Sequence, residues 1–141
     1  MTDRSNKVGA GFIVFKKDTV ELSEPLILAL VREDGQFDIP KGEIDDGEST
    51  IAAAKRECFE ECSLMIDDDE IMFDSFVHGR LTTYCAATNK LPIVTKNPHT
   101  GILEHTGFKW VGKEEFCNNC LSYLAPAAHY FYSECIKYYN H

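Results

Sequence analysis

The chain has 141 residues, 44% of them hydrophobic, which suits a single domain over 1–141 with a sizeable core. A formal net charge of −9 argues against binding an extended nucleic-acid backbone, but not against a nucleotide, because a metal-dependent phosphate site is acidic before its ions arrive. No stretch approaches the ~18 consecutive apolar residues of a membrane span, and the opening MTDRSNK lacks a hydrophobic signal core, so a cytoplasmic or nuclear setting is expected.

The first predicted element is a strand over Val8–Phe15, where Gly9 and Gly11 let another backbone or a ligand come close. Lys16–Glu24 reads as a charged connection. After Pro25, Leu26–Val31 is a continuous apolar run and suits a central strand. Arg32-Glu33-Asp34-Gly35 is a turn. Phe37–Gly42 is extended, since Pro40 keeps Ile39 out of the helical region, and this constrained backbone projects Lys41 toward the segment that follows.

That segment, Gly42–Leu64, reads GEIDDGESTIAAAKRECFEECSL. Ser49 is a fair N-cap, and a helix is predicted over Ser49–Cys62. Glu57, Glu60 and Glu61 fall within an arc of roughly 100° on that helix, beside an apolar face of Ile51, Ala54, Cys58 and Cys62. Like charges at such spacing destabilise by roughly 0.2–0.5 kcal/mol per pair, and the nearby cations are Lys55 and Arg56. A divalent cation removes the repulsion. Oxygen donors with no thiolate among them point to Mg²⁺ or Mn²⁺ rather than zinc.

Asp67–Glu70 is an acidic turn, read as a solvated loop because a consecutive run does not converge easily on one ion. Ile71–Val77 and Leu81–Thr88 form a strand pair around His78-Gly79-Arg80. Leu91–Leu103 carries two prolines and reads as a long loop or a distorted edge. Phe108–Val111 is a short strand, on which Trp110 alternates with Phe108 as core. Lys113–Cys120 is a short helix. Leu124–Tyr139 is a closing helix with Pro126 in its first turn and Ala128, Phe131, Cys135 and Tyr138 on its apolar face. The order of strands, helix, strands, helix gives an α/β fold with a mixed sheet held between helices. The six cysteines are expected as free thiols, and the lone Cys117-Asn118-Asn119-Cys120 lacks the second pair that a zinc site needs.

The residues Gly42, Glu48 and Arg56-Glu57-Cys58-Phe59-Glu60-Glu61-Cys62-Ser63-Leu64 resemble the Nudix box. That signature places Gly, Glu and Arg-Glu-apolar-x-Glu-Glu-x-Gly-apolar over 23 residues, and every fixed polar position is present. The departure is Ser63, where the family has a helix-ending Gly with positive φ, a position at which Ser costs on the order of 1 kcal/mol. The resemblance implies the Nudix α/β/α sandwich. It also implies metal ligation by Glu57 and Glu61, with Glu60 and the Gly42 carbonyl as further ligands, and a Glu48–Arg56 pair holding loop to helix. The plain reading of that pair agrees, since Arg makes oriented, bidentate contacts to a carboxylate.

A second stretch, Ile102–Glu115 with Glu104-His105 and Trp110-Val111, together with Phe37–Gly42, resembles the asymmetrical diadenosine tetraphosphate hydrolase branch of that family. On this resemblance Glu104 is a further metal ligand or the base, so Glu57, Glu60 and Glu104 are the catalytic candidates. His105 is a phosphate contact or a structural hydrogen bond. Tyr84 stacks on adenine, with Phe131 or a neighbouring tyrosine as the other wall or as ordinary packing. Lys41 and Arg80 stand out as phosphate-binding cations in an acidic protein, each also compatible with a surface ion pair.

The expected function is metal-dependent hydrolysis of a phosphoanhydride in a nucleoside polyphosphate, with diadenosine tetraphosphate cut to ATP and AMP as the specific case. Alternative substrates are RNA 5′ ends, nucleoside triphosphates and diphosphoinositol phosphates. The competing class is a nucleotide-binding module without catalysis, which predicts loss of a box glutamate, and none is lost here. The sequence carries no signal for oligomeric state.

Overall fold

Strand β1 (Gly9–Lys16) is the hub of a seven-stranded mixed sheet in a computed structural model that describes residues 8–139. The MTDRSNK stretch read for a signal core lies outside the described residues. β1 runs parallel to β6 (Leu81–Thr88) over its whole length, and β6 pairs antiparallel with β5 (Ile71–His78). On the other side β1 meets β2 (Ile27–Arg32) at a single register pair, Phe15 with Ile27. The two strands then diverge. β3 (Phe37–Asp38) follows β2, and β4 (Lys41–Glu43) follows β1, so the Phe37–Gly42 segment expected as one extended piece is split between the arms of a fork. Gly11 permits this, because a side chain there would meet the Lys41 Cβ at 2.6 Å and the Pro40 carbonyl oxygen at 2.7 Å. β7 (His105–Val111) covers the far edge of β2 and starts three residues earlier than the expected Phe108.

Both faces of the sheet are buried, which is why β1 and β2 read as unbroken apolar runs. Ala10, Phe12, Val14, Leu28 and Leu30 face α1 (Thr50–Cys62), which contributes Ala53, Ala54, Cys58 and Cys62. Ile13, Phe15, Ile27 and Ala29 face α2 (Lys113–Asn119) and α3 (Ala125–Tyr139), with Phe116, Ala128, Phe131 and Cys135. Tyr138 was expected on the apolar face of α3, but it is 59% exposed and lies edge-on to the Phe73 ring at 6.0 Å. Trp110 and Phe108 pack against the α1 side of the core. The thiols are free, and all but Cys117 are buried. No helix among the described residues is long and apolar enough to cross a membrane.

The ends of α1 show how it is placed. Ser49 caps the start, accepting from the Ala52 N–H at 3.2 Å. Ser63 ends it in the left-handed region at φ 60°. The long loop after β6 then lies against the last turn: the N–H of Ile93 donates to the Cys62 carbonyl at 2.8 Å and the Thr95 hydroxyl to the Glu60 carbonyl at 2.9 Å. Helix carbonyls left without intrahelical donors are thus satisfied by the loop, and the loop is drawn alongside the glutamates. The acidic turn Asp67–Glu70 folds as a short 3-10 turn neutralised by Lys90, at 2.9 Å from both Asp67 and Glu70, and by a contact between Lys55 and Asp68.

Candidate active site

The site begins with Arg56. Its guanidinium makes two hydrogen bonds to Glu48, Nε to Oε2 at 2.8 Å and Nη2 to Oε1 at 3.0 Å, and donates to the Glu43 carbonyl at 2.9 Å. Glu48 in turn accepts from the Asp45 N–H at 3.0 Å. The loop between β4 and α1 is therefore folded around one cation on the helix. Arg56 also takes Glu57 at 2.8 Å and Glu60 at 3.0 Å. So many acceptors hold the Arg56 pKa above its usual range, chiefly through Glu48, and draw that of Glu48 down.

Glu57 and Glu61 lie one turn apart on α1 and are half-buried. The Glu57 carboxylate occupies the space where a Gly42 side chain would stand: a Cβ at that position would collide with it. Glu61 accepts from the Lys41 backbone N–H at 3.2 Å. Loss of solvent raises the pKa of both. Glu61 is pushed up to about 9 by desolvation and by the neighbouring Asp38 and Glu104, and Glu57 is raised by desolvation and by Glu60 and Glu104. Glu104 is exposed on the loop before β7 and shares a cavity of about 710 Å³ with Glu61, Asp38, Lys41 and Arg32. Glu60 sits between Arg56 and His99, whose Nε2 is 3.6 Å away.

Among the described residues, no three His, Cys, Asp or Glu side chains converge closely enough to chelate an ion as they stand. Glu57 and Glu60 are turned onto Arg56. The donor chemistry nevertheless fits a hard divalent cation. The carboxyls of Glu57 and Glu61 are desolvated, each raised further by the charge of Glu104, and offer oxygen donors alone, and the missing side chain at Gly42 leaves room for the Glu57 carboxylate.

Behind this cluster is a buried group built on Asp38, which sequence reasoning missed, and in it His105 makes the structural hydrogen bond that was one of its two expected roles. Asp38 is 3% exposed and His105 is 4% exposed. The His105 Nε2 is 3.0 Å from Asp38 Oδ2, and the Lys41 ammonium is 3.0 Å from Asp38 Oδ1. Despite its burial, the Asp38 carboxyl is held below the usual range by these partners and by the Ile39 N–H. The available signal was a lone carboxylate inside an otherwise apolar extended segment. Its partner is 67 residues away in the chain, and nothing local announces it.

Lys41 also borders a second cavity of about 520 Å³, lined by Gly42, His78, Arg80, Leu81 and Tyr123 among others. The Lys41 ammonium lies 5.8 Å from the Tyr123 ring centroid, and the ring is 44% exposed. The structure takes two expected substrate contacts, Tyr84 and Phe131, out of these cavities. Tyr84 lies under α1, half-buried, with its ring 5.9 Å from Phe12, because its place on β6 points it to the α1 side of the sheet. Phe131 is fully buried beneath α3 and packs on Phe76 and Tyr130. His105 borders the larger cavity, but its ring is enclosed and bonded to Asp38. The tyrosine that lines the cavity beside Lys41 and Arg80 is Tyr123, in the turn before α3, which no spacing singled out. Lys41 and Arg80 both line the Tyr123 cavity, though the Lys41 charge is already paired.

The NUDIX domain profile matches residues 5–126. No curated protein sequence matches the chain significantly. Among solved structures, a C. elegans Ap4A hydrolase in a binary complex superimposes with a TM-score of 0.70 at 18% identity, over 92% of this chain and 98% of that one. An E. coli dihydroneopterin triphosphate pyrophosphohydrolase gives 0.63 at 20% identity, over 90% and 95%. A bifunctional NMN adenylyltransferase/ADP ribose pyrophosphatase from Francisella tularensis, complexed with AMP and a Mn ion, gives 0.65 at 18% identity, over 92% of this chain and 42% of that one. At these identities the likeness is one of fold.

Proposed function

The chain belongs to the NUDIX domain family, and from that premise we propose that it hydrolyses a phosphoanhydride bond of a nucleoside polyphosphate, with diadenosine tetraphosphate cut to ATP and AMP as the specific reaction. The observation that carries the reading is the pair of desolvated carboxyls, Glu57 against Gly42 and Glu61 on the Lys41 N–H, with Lys41 lining two cavities, one of which Glu61 also lines.

Glu57, Glu61 and the Gly42 carbonyl would hold Mg²⁺ or Mn²⁺, with Glu60 and Glu104 at the margin of the set. Such an ion, when bound, supplies charge neutralisation at phosphate oxygens and acidifies a water. The remaining work falls to the chain. Arg56 and Glu48 keep the helix and the preceding loop in one rigid arrangement. Tyr123 offers a ring for a nucleobase to stack on, worth roughly 1–3 kcal/mol, and Arg80 and Lys41 place positive charge along the phosphates next to it. Glu104, exposed on the same cavity as Glu61, accepts at a carboxylate oxygen the proton of the attacking water. The water oxygen bonds to phosphorus as the anhydride P–O bond breaks, and the products leave as two shorter phosphates. Asp38, by holding both Lys41 and His105, fixes the strand on one side of the cavity and the foot of the Glu104 loop on the other.

The fold neighbours carry different substrates in their names, so a panel decides the specific reaction. Diadenosine tetraphosphate, ATP, ADP-ribose, an RNA 5′-triphosphate and a diphosphoinositol phosphate are compared by kcat/KM with Mg²⁺, and products are separated by ion exchange. ATP and AMP from the dinucleotide, at the highest kcat/KM of the set, is the expected result. No nucleotide released from any dinucleoside polyphosphate sinks the substrate assignment.

A further inference from the structure

We propose that Arg32 contacts the substrate and determines its specificity, gripping the phosphates farthest from the nucleoside seated at Tyr123. This rests on the polyphosphate reading above and adds to it a residue that the box does not contain.

The strand β2 bulges against β7 between Val31 and Arg32, and a bulge re-aims the side chain at its position. A tight turn fixes the backbone there: the Arg32 N–H donates to the Gln36 carbonyl and the Gly35 N–H to the Arg32 carbonyl, both at 2.9 Å. Arg32 lines the cavity of about 710 Å³ that Glu61, Lys41 and Glu104 also line. Its Nε is buried and has no hydrogen-bond partner. The nearest carboxylate oxygen, Asp34 Oδ1, is 3.6 Å away, beyond hydrogen-bonding range. A buried donor without an acceptor is destabilising and calls for an explanation.

The other cation of the cavity, Lys41, is already paired with Asp38. Five carboxylates border the same space: Glu33, Asp34, Asp38, Glu61 and Glu104. Nε is enclosed, but the Arg32 side chain as a whole is 41% exposed, so an anionic chain entering the cavity meets its outer part, and a guanidinium fork matches two phosphate oxygens at once. Lys41 lines both cavities. A nucleoside with its first phosphate fills the Tyr123 side, and a longer phosphate chain reaches Arg32 on the other. Arg32 therefore selects for chain length, favouring substrates with phosphates on both sides of the carboxylates over those that end at a diphosphate.

The test separates Arg32 from the catalytic reading. Inorganic tripolyphosphate with Mg²⁺, and AMP separately, are titrated calorimetrically into wild type, Arg32→Gln, Arg32→Lys and Asp34→Asn. KM and kcat are measured on diadenosine tetraphosphate. Arg32→Gln is expected to weaken tripolyphosphate and raise KM by roughly 10- to 100-fold, with kcat and AMP binding unchanged. Arg32→Lys restores only part of this, since one ammonium is not a fork, and Asp34→Asn weakens neither. Equal tripolyphosphate binding by wild type and Arg32→Gln overturns the proposal, as does an Asp34→Asn loss as large as that of Arg32→Gln. Tripolyphosphate bound through Arg32 by a protein that hydrolyses no nucleotide would instead support the Arg32 site and remove the hydrolase. Hydrolysis with an unchanged KM in Arg32→Gln would remove Arg32 alone.

Discussion

On the Arg56 side of α1, Glu48, Glu57 and Glu60 all reach one guanidinium within 3.0 Å. On the other side, Glu61 takes a backbone N–H at 3.2 Å, feels the Lys41 charge without a hydrogen bond from it, and faces Asp38 and Glu104. The same residue type, a few positions apart on one helix, serves two ends. Where a carboxylate is satisfied by a fixed cation it builds the scaffold. Where it is desolvated and left among other carboxylates it is at odds with the fold, and that is the condition a divalent ion relieves. Glu57 belongs to both regions, since it bonds to Arg56 and also fills the space at Gly42.

The largest effect should come from breaking the unsatisfied side. Glu61→Gln is expected to lower kcat by roughly 10²–10⁴-fold and to abolish the rise in Tm that Mg²⁺ gives the wild type. Wild-type turnover by the variant would mean that the carboxylate has no part in the reaction. The same change should stabilise the metal-free protein. Unfolded, the Glu61 carboxyl ionises near 4.5, and folded without metal it ionises near 9. The folded form retains a proton that the unfolded form has lost, so the metal-free wild type is at full stability below pH 4.5 and weakens as pH climbs toward 9. Glu61→Gln removes that decline. Urea melts should show a gain at pH 8, at most about 5 kcal/mol, that vanishes near pH 4.5. A gain independent of pH would contradict the assignment.

Gly42→Ala sharpens the contrast, because the atoms a methyl group displaces there belong to the flexible end of Glu57 and not to backbone. Tm should change little and kcat should fall, and equal losses in both would show that Gly42 serves only the fold. Arg56→Ala breaks the satisfied side. It leaves Glu48, Glu57 and Glu60 without their shared partner, and chemical denaturation should register a loss of about 2–3 kcal/mol. Arg56→Lys should recover little, since an ammonium cannot reproduce the bidentate contact to Glu48. Tyr123→Ala should raise KM by roughly 5- to 50-fold through lost stacking with stability unchanged, while Tyr84→Ala should do the reverse. The smallest effect is at the helix end: Ser63→Gly should stabilise by about 0.5–1 kcal/mol, read as a small rise in Tm.

The helix, its Ser49 cap and the face carrying Ala54, Cys58 and Cys62 were legible because each depends on residues within a few positions, while the left-handed end at Ser63 was implied only by the family's glycine at that place. The succession of elements along the chain, strands, helix, strands, helix, was legible for the same reason. The fork between β1 and β2 was not, since it depends on two short strands choosing different partners across the sheet. Tyr84 illustrates the limit: its place in a strand was readable, but the face it presents is set by the register of β6 on β1.

The acidic helix and its all-oxygen chemistry were therefore determined by sequence alone, because spacing along a helix is a local property and like charges repel wherever the helix lies. Tertiary structure decided how those charges are shared out. It brought Asp38 to His105, Tyr123 to Lys41 and a loop threonine to the end of α1, contacts between segments whose separation no periodicity records. The physical reason is desolvation: a carboxyl's chemistry is set by how much water and which partners the fold leaves around it, and neither is written in its neighbours along the chain.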